Sequence, residues 1–209
     1  MKNVVYLLGH YGGDETHALS AWTSTRRELD AERRERIGSM LKRLADDGHH
    51  TPFEKSYLHF LVTCDTASHI HLLKHRIGVS VNAESARYRE LKDDKFHIPD
   101  DWPRWAKDWT RARVRDAYTN YHALLKELVD HGMPRKRAKE SARFLLPYAN
   151  QLTLDVGFNF RSFMHFQRLR NDEHAQLEIR TIAQEMLAAV SEINGNPFEL
   201  SLEAFGYTS

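Results

Sequence analysis

The segment from Trp102 to Gly132, WPRWAKDWTRARVRDAYTNYHALLKELVDHG, constrains the chain most. It is free of glycine and proline from Arg104 to His131, is rich in good helix formers, and is closed by Gly132, so it reads as one long helix. Other segments share the helical period. DAERRERIGSMLKRLADDGHH places Ile37, Met40, Leu41 and Leu44 at helical spacing, with Asp30 as N-cap and Gly48 as the stop. DTASHIHLLKHR is helical in composition, capped by Asp65 or Thr66. MPRKRAKESARFLLP makes a further helix, opened near Pro134 and closed before Pro147. RSFMHFQRLR turns helical again, and Asn171 with Asp172 caps a final long helix through about Asn194.

Strands are fewer. YLHFLVT is dense in aromatic and branched residues, and QLTLDVGFNF alternates. Between residues 77 and 101, Gly78, Ser80, Asn82, Asp93, Asp94 and Pro99 signal mostly loop, with a short extended piece near ARYREL. The expected fold is α+β, mostly helical with a small antiparallel sheet. At 209 residues, with no repeat or linker, it is expected as one domain spanning residues 1–209.

Composition narrows the function. Thirty Lys and Arg against 29 Asp and Glu give a formal charge of +1, so no global basic field draws the chain to nucleic acid, and any anion site is local. No apolar run approaches the roughly 20 residues of a membrane span, and the N-terminal MKNVVYLLGHYGGDETH has only a short apolar patch; the chain reads as cytosolic. A lone Cys64 excludes an intramolecular disulfide and a zinc site of several thiolates. Its apolar and acidic neighbours in LVTCDTAS favour an inert, partly buried thiol.

Local cation crowding stands out in KHRIGVSVNAESARY, residues 74–88. Lys74, His75 and Arg76 adjoin at the end of a short helix, where the dipole favours positive charge, and Ser80, Asn82, Ser85 and Arg87 follow. Thirteen histidines invite a metal reading: His71 and His75 are four apart, with His69 two before His71. No HExxH pattern is present, however, and no carboxylate lies at ligand spacing in the same segment. Arg76, Arg87, Arg143, Arg161, Arg168 and Arg170 offer planar forks suited to phosphate, carboxylate or a pyrimidine carbonyl edge. Arg143 before FLLP, and Arg161 within FNFRSFMHF, each require a buried anionic partner or a ligand, and both readings stand. Arg161, His165 and Arg168 fall on one helical face, and Arg170 stands at the helix end. These features support a binder of an anionic small molecule such as a nucleotide.

The segments HHTPFE, KHRIGVSVNAESARY, ARFLLP and NFRSFMHFQRLRNDEHAQLEI, in that order, closely resemble the flavin-dependent thymidylate synthases. The family hallmark is an Arg-His-Arg triplet, seven residues, then Ser, followed shortly by Arg-Tyr. Here Lys74 replaces the first arginine and loses its bidentate fork, and eight residues precede Ser85 before Arg87 and Tyr88. Glu84, in preference to Ala83, matches the family glutamate.

The resemblance implies FAD-dependent reductive methylation of dUMP at C5 to dTMP. NADPH reduces the FAD, methylenetetrahydrofolate donates the one-carbon unit, and no enzyme cysteine attacks the pyrimidine. It gives FAD contacts to Thr51, Lys74, His75, Arg76 and Glu84, and to Asn159, Arg161 and His165, where the family often has Asn at the last position. It gives the dUMP site to His71, Lys74, Glu84, Ser85, Ala86 and Arg87, with Arg143. It sets Arg170 beside the uracil ring as the catalytic residue, stabilising the ionised pyrimidine. It also implies a cytoplasmic homotetramer with FAD where subunits meet, and no metal, membrane or nucleic-acid partner. Three alternatives stay open: a relative transferring another one-carbon group, a non-catalytic nucleotide binder, and a histidine-based metal hydrolase.

Overall fold

The computed structural model describes residues 1–91 and 95–207. Asp93 and Asp94 of the expected loop therefore lie outside the described residues. In chain order the elements begin with β1 (Val4–Tyr11), α1 (Asp14–Trp22), α2 (Ala31–Glu35) and α3 (Ile37–Asp46), then a 3-10 turn at Thr51–Glu54. β2 (Tyr57–Asp65), α4 (Thr66–Leu73), β3 (Val79–Ala83) and α5 (Arg104–Asp130) follow. The chain continues with α6 (Arg135–Ala142), a 3-10 turn at Arg143–Leu145 and β4 (Gln151–Asn159), then α7 (Phe160–Arg170), α8 (Leu177–Ser191) and α9 (Glu199–Ala204). The α+β expectation holds, with strand order β1-β2-β4-β3. Register is antiparallel. His59 faces Asp155 across β2 and β4, and the Asn159 N–H to Gly78 and Glu84 N–H to Thr153 hydrogen bonds close the two ends of the β4–β3 pair.

Several local expectations are corrected. Asp30 does cap a helix, accepting the Arg33 N–H at 2.9 Å, but the helix breaks at Arg36 into α2 and α3. Asp65, not Thr66, caps α4 through the Ser68 N–H; the Thr66 hydroxyl donates to the Asn150 carbonyl instead. The extended piece of the 77–101 stretch is β3, whereas residues 86–88 form a turn. α8 begins at Leu177, because Asn171 ends α7 and the Asp172 carboxylate turns back to the His174 N–H. β1, α1 and α9 were not anticipated.

Chain contacts divide into two units. The first comprises Met1–Val4, Val62–Lys74 and Asn82–Leu154. Its core packs Tyr121 and Leu125 of α5 against Ala138 and Ala142 of α6, with Ala86 and Leu91 closing over them. The Leu91 N–H donates to the buried Tyr121 hydroxyl, which ties the end of the 84–91 loop to α5.

The second unit comprises Val5–Leu61, His75–Val81 and the residues from Asp155 on. Phenylalanines fill it: Phe53, Phe60, Phe158, Phe160, Phe163 and Phe166 are fully buried, and Phe160 stacks on Phe198 at 5.4 Å. A polar chain crosses this core. Ser201 donates its hydroxyl hydrogen to Asp14 and so accepts the His17 Nδ1–H at 2.8 Å, which leaves His17 Nε2 to accept from Ser56 at 2.7 Å. Burial pushes the His17 imidazole down to about 3, so the ring is neutral and the chain is fully satisfied.

Candidate active site

In the second unit, the segment after α4 is laced along α7. The Asn159 side chain caps α7 by accepting the Ser162 N–H at 2.8 Å, and its backbone N–H donates to the Gly78 carbonyl at 2.9 Å. The Ser162 hydroxyl donates to the Ile77 carbonyl at 2.7 Å. At the far end of the same helix, Arg170 Nε donates to His75 Nε2 at 3.1 Å. Gly78 makes this approach possible: its φ is +65°, and a Cβ there would lie 2.3 Å from Asn159 Nδ2 and 2.4 Å from Ser162 Oγ. The sequence motif is therefore a strap on a helix. α4 stops at Leu73, with Lys74 as C-cap, so His75 does not share a helical face with His71. Among the described residues, no group of three His, Cys, Asp or Glu side chains has metal-binding geometry.

α7 sorts its residues by face. Phe160, Phe163, Met164 and Phe166 turn inward, whereas Arg161, His165 and Arg168 turn outward. The outward trio and Ile77 line a cavity of about 640 Å³. Lys42 and Asp46 of α3, His50, and Glu203, Phe205 and Tyr207 at the end of α9 form the other walls. A site of this size, with several cations and aromatic faces, suits a large anionic ligand carrying a ring system. Arg161 pairs with Glu54 of the 3-10 turn, and Arg168 reaches His165 Nδ1 at 3.3 Å. Partial burial first, then Arg168, Arg161 and Arg170, lower the His165 pKa, which favours its neutral form as a hydrogen-bonding wall. Thr51 is exposed at the start of the 3-10 turn, and Arg76 is exposed on the strap.

The first unit holds His71, Lys74, Glu84, Ser85, Ala86, Arg87 and Arg143. Ser85 opens a turn: its carbonyl accepts the N–H groups of Tyr88 and Arg89, and its hydroxyl accepts the Arg87 N–H. Ala86 buries its methyl in the α5–α6 core, which fixes the turn and presents Arg87 at the surface. Arg87 pairs with Glu140 at 2.5 Å and lies over the Tyr88 ring at 5.4 Å. Glu84 bonds Arg89 and the Thr153 N–H. Arg143 lies exposed on the 3-10 turn after α6, with no carboxylate partner among the described residues, so of its two expected readings the buried ion pair does not hold and the ligand remains.

The residues given to FAD thus fall mainly in the second unit, and those given to dUMP mainly in the first. Sequence reading missed the walls from α3 and α9. Lys42 and Asp46 look like an ordinary solvated i, i+4 pair, and residues 203–207 carry no motif. Cys64 is fully buried, and burial with the adjacent Asp65 carboxylate raises its thiol pKa far above the usual range, as befits an inert thiol.

Comparison with known proteins extends these observations. The family model described as thymidylate synthase complementing protein, Thy1, matches residues 6–194. The flavin-dependent thymidylate synthase of Pseudothermotoga lettingae is 33% identical over 189 residues, 87% of this chain and 82% of that protein. The enzyme of the same name from Clostridium tetani is 32% identical over 181 residues, 80% of this chain and 71% of the relative. A solved structure of the UMP/dUMP methylase PolB from Streptomyces cacaoi, bound with 5-Br dUMP, matches with a TM-score of 0.80 at 27% identity, covering 98% of this chain and 94% of that one. The same methylase bound with 5-Br UMP matches with a TM-score of 0.72 at 26% identity, covering 100% of this chain and 96% of that one. With every segment that carries the resemblance inside the matched residues, the chain belongs to the flavin-dependent thymidylate synthase family.

Proposed function

We propose that the protein catalyses the reductive methylation of dUMP to dTMP with bound FAD, methylenetetrahydrofolate as one-carbon donor and NADPH as reductant. The observation that carries this reading is the α7 face: Arg161 and His165, the residues matched to the flavin site, line a cavity of about 640 Å³ bounded by Phe205, Tyr207 and several cations. That donor set fits a flavin dinucleotide, which needs guanidinium or ammonium groups for its pyrophosphate and flat apolar walls for its rings. Bound flavin supplies hydride chemistry that no side chain offers.

The chain's own residues bind and orient. Lys74, Arg76 and Arg161, with Thr51, Glu84, Asn159 and His165, are the cofactor contacts. Ser85 and Arg87, on a turn held by the buried Ala86, bind the nucleotide phosphate, and Arg143, which pairs with no carboxylate among the described residues, adds a further cation. His71, Lys74 and Glu84 complete the dUMP set. Arg170 stands beside the uracil ring, where a guanidinium in a dry site stabilises developing negative charge by roughly 3–4 kcal/mol, as oxyanion donors do. The working assembly is a cytoplasmic homotetramer with FAD where subunits meet.

Purified protein is expected to show flavin absorbance that NADPH bleaches faster when dUMP is present; a colourless chain that cannot take up FAD overturns the reading. The likeness to the methylase PolB favours a second reading, in which UMP is also a substrate. Methylation of UMP in competition with dUMP is its test, and absence of any UMP product removes it.

A further inference from the structure

We propose that His75 is the positioning residue of Arg170, holding the guanidinium through a neutral imidazole in its Nδ1–H form. The inference rests on the role given to Arg170 above, and it assigns His75 a task different from the flavin contact that family resemblance suggests.

Geometry carries it. His75 is 8% exposed, with the Phe166 ring edge-on at 5.1 Å and the His165 ring at 6.0 Å, so packing on α7 sets its orientation. Its Nε2 lies 3.1 Å from Arg170 Nε. Arginine can only donate, so Nε2 offers a lone pair and the ring proton of the neutral form sits on Nδ1. The strap that carries His75 is fastened to the other end of α7 through Ser162 and Asn159, so His75 and Arg170 share one helical frame.

The choice of partner has a chemical consequence. Among the described residues Arg170 pairs with no carboxylate, whereas Arg87 and Arg161 each do. A carboxylate would hold the guanidinium but offset its charge; a neutral imidazole holds it and leaves the full charge for a ring that gains negative charge. Engaging Nε also leaves both terminal nitrogens as a fork for a carbonyl edge.

The test compares His75→Phe, which keeps a packed ring without an acceptor, with His75→Gln, whose Oε1 restores an acceptor near the place of Nε2. In full-length flavin-loaded enzyme, His75→Phe is expected to lower kcat by about tenfold or more, the scale of a misplaced catalytic group. KM for dUMP and flavin content change far less, and His75→Gln recovers most of the loss. In the flavin-free full chain, the 15N shift of His75 Nε2 is expected in the unprotonated range, moving when Arg170 is replaced by Ala. Unchanged kcat in His75→Phe, parallel loss of flavin in both variants, or a protonated Nε2 overturns the proposal. A wild-type protein that turns over no dUMP would defeat the proposed function instead, and the 15N shift would still judge the His75–Arg170 pair.

Discussion

Replacing Gly78 by alanine tests the lacing of the cationic strap onto α7. Gly78 has φ of +65°, a region that costs an alanine about 1 kcal/mol or more. Its new Cβ would sit 2.3 Å from Asn159 Nδ2 and 2.4 Å from Ser162 Oγ, so both side chains must move. Moving Asn159 breaks the N-cap of α7, worth about 1 kcal/mol. Moving Ser162 breaks its bond to the Ile77 carbonyl, worth about another 1 kcal/mol. The expected loss is therefore about 3 kcal/mol. Gly48→Ala is the matched control: φ is +73° and nothing lies within 4 Å of its Cβ, so only the backbone term of about 1 kcal/mol applies. Urea unfolding of the two variants against the parent should separate them by about 2 kcal/mol, or by roughly 4–8 °C in Tm for a chain of this size. Flavin uptake should fall in the Gly78 variant alone. Equal losses in the two variants would refute the lacing.

The folded His17 pKa of about 3 lies below the ordinary 6.5, so its stabilising share is full above about pH 6.5 and drains away as pH falls toward 3. Asp14, raised mainly by burial, works the other way in the carboxylate range and offsets part of the loss. His17→Gln should flatten the decline between about pH 6.5 and pH 4.5 in urea unfolding, and an unchanged slope would count against it. Glu140→Gln releases Arg87 from its ion pair and should tighten dUMP binding by calorimetry, by no more than about fivefold because the Arg87 end of the pair is half-exposed to solvent. Weaker binding would mean that Glu140 orients Arg87 rather than competing for it. Arg143→Ala should weaken dUMP binding, whereas Arg170→Ala should keep its flavin and lose nearly all turnover; equal activity in the latter removes Arg170 from the catalytic role.

The longest helix was legible because its period and punctuation agree, with Gly132 ending α5 at φ of +87°, and Asp30 and Asp65 cap the short α2 and α4 where capping residues should. β1 was missed because apolar residues stand on both of its faces: half-buried Val5 and Leu7 alternate with exposed Tyr6 and Leu8 at a sheet edge, so no apolar–polar alternation marks it in the sequence. β3 was missed because Gly78, Ser80 and Asn82 signal a turn, whereas pairing to β4 decides the local structure. Arg161 sits among aromatics in sequence yet outside them in space, because neighbours on a helix point about 100° apart. The α3 and α9 walls of the cavity could not be read at all: proximity across some 160 residues leaves no local pattern.

The most direct measurement is the identity of the product. With labelled dUMP, FAD, NADPH and methylenetetrahydrofolate, the purified protein is expected to yield dTMP. Unchanged dUMP, or a hydroxymethylated nucleotide in its place, would contradict the proposed reaction.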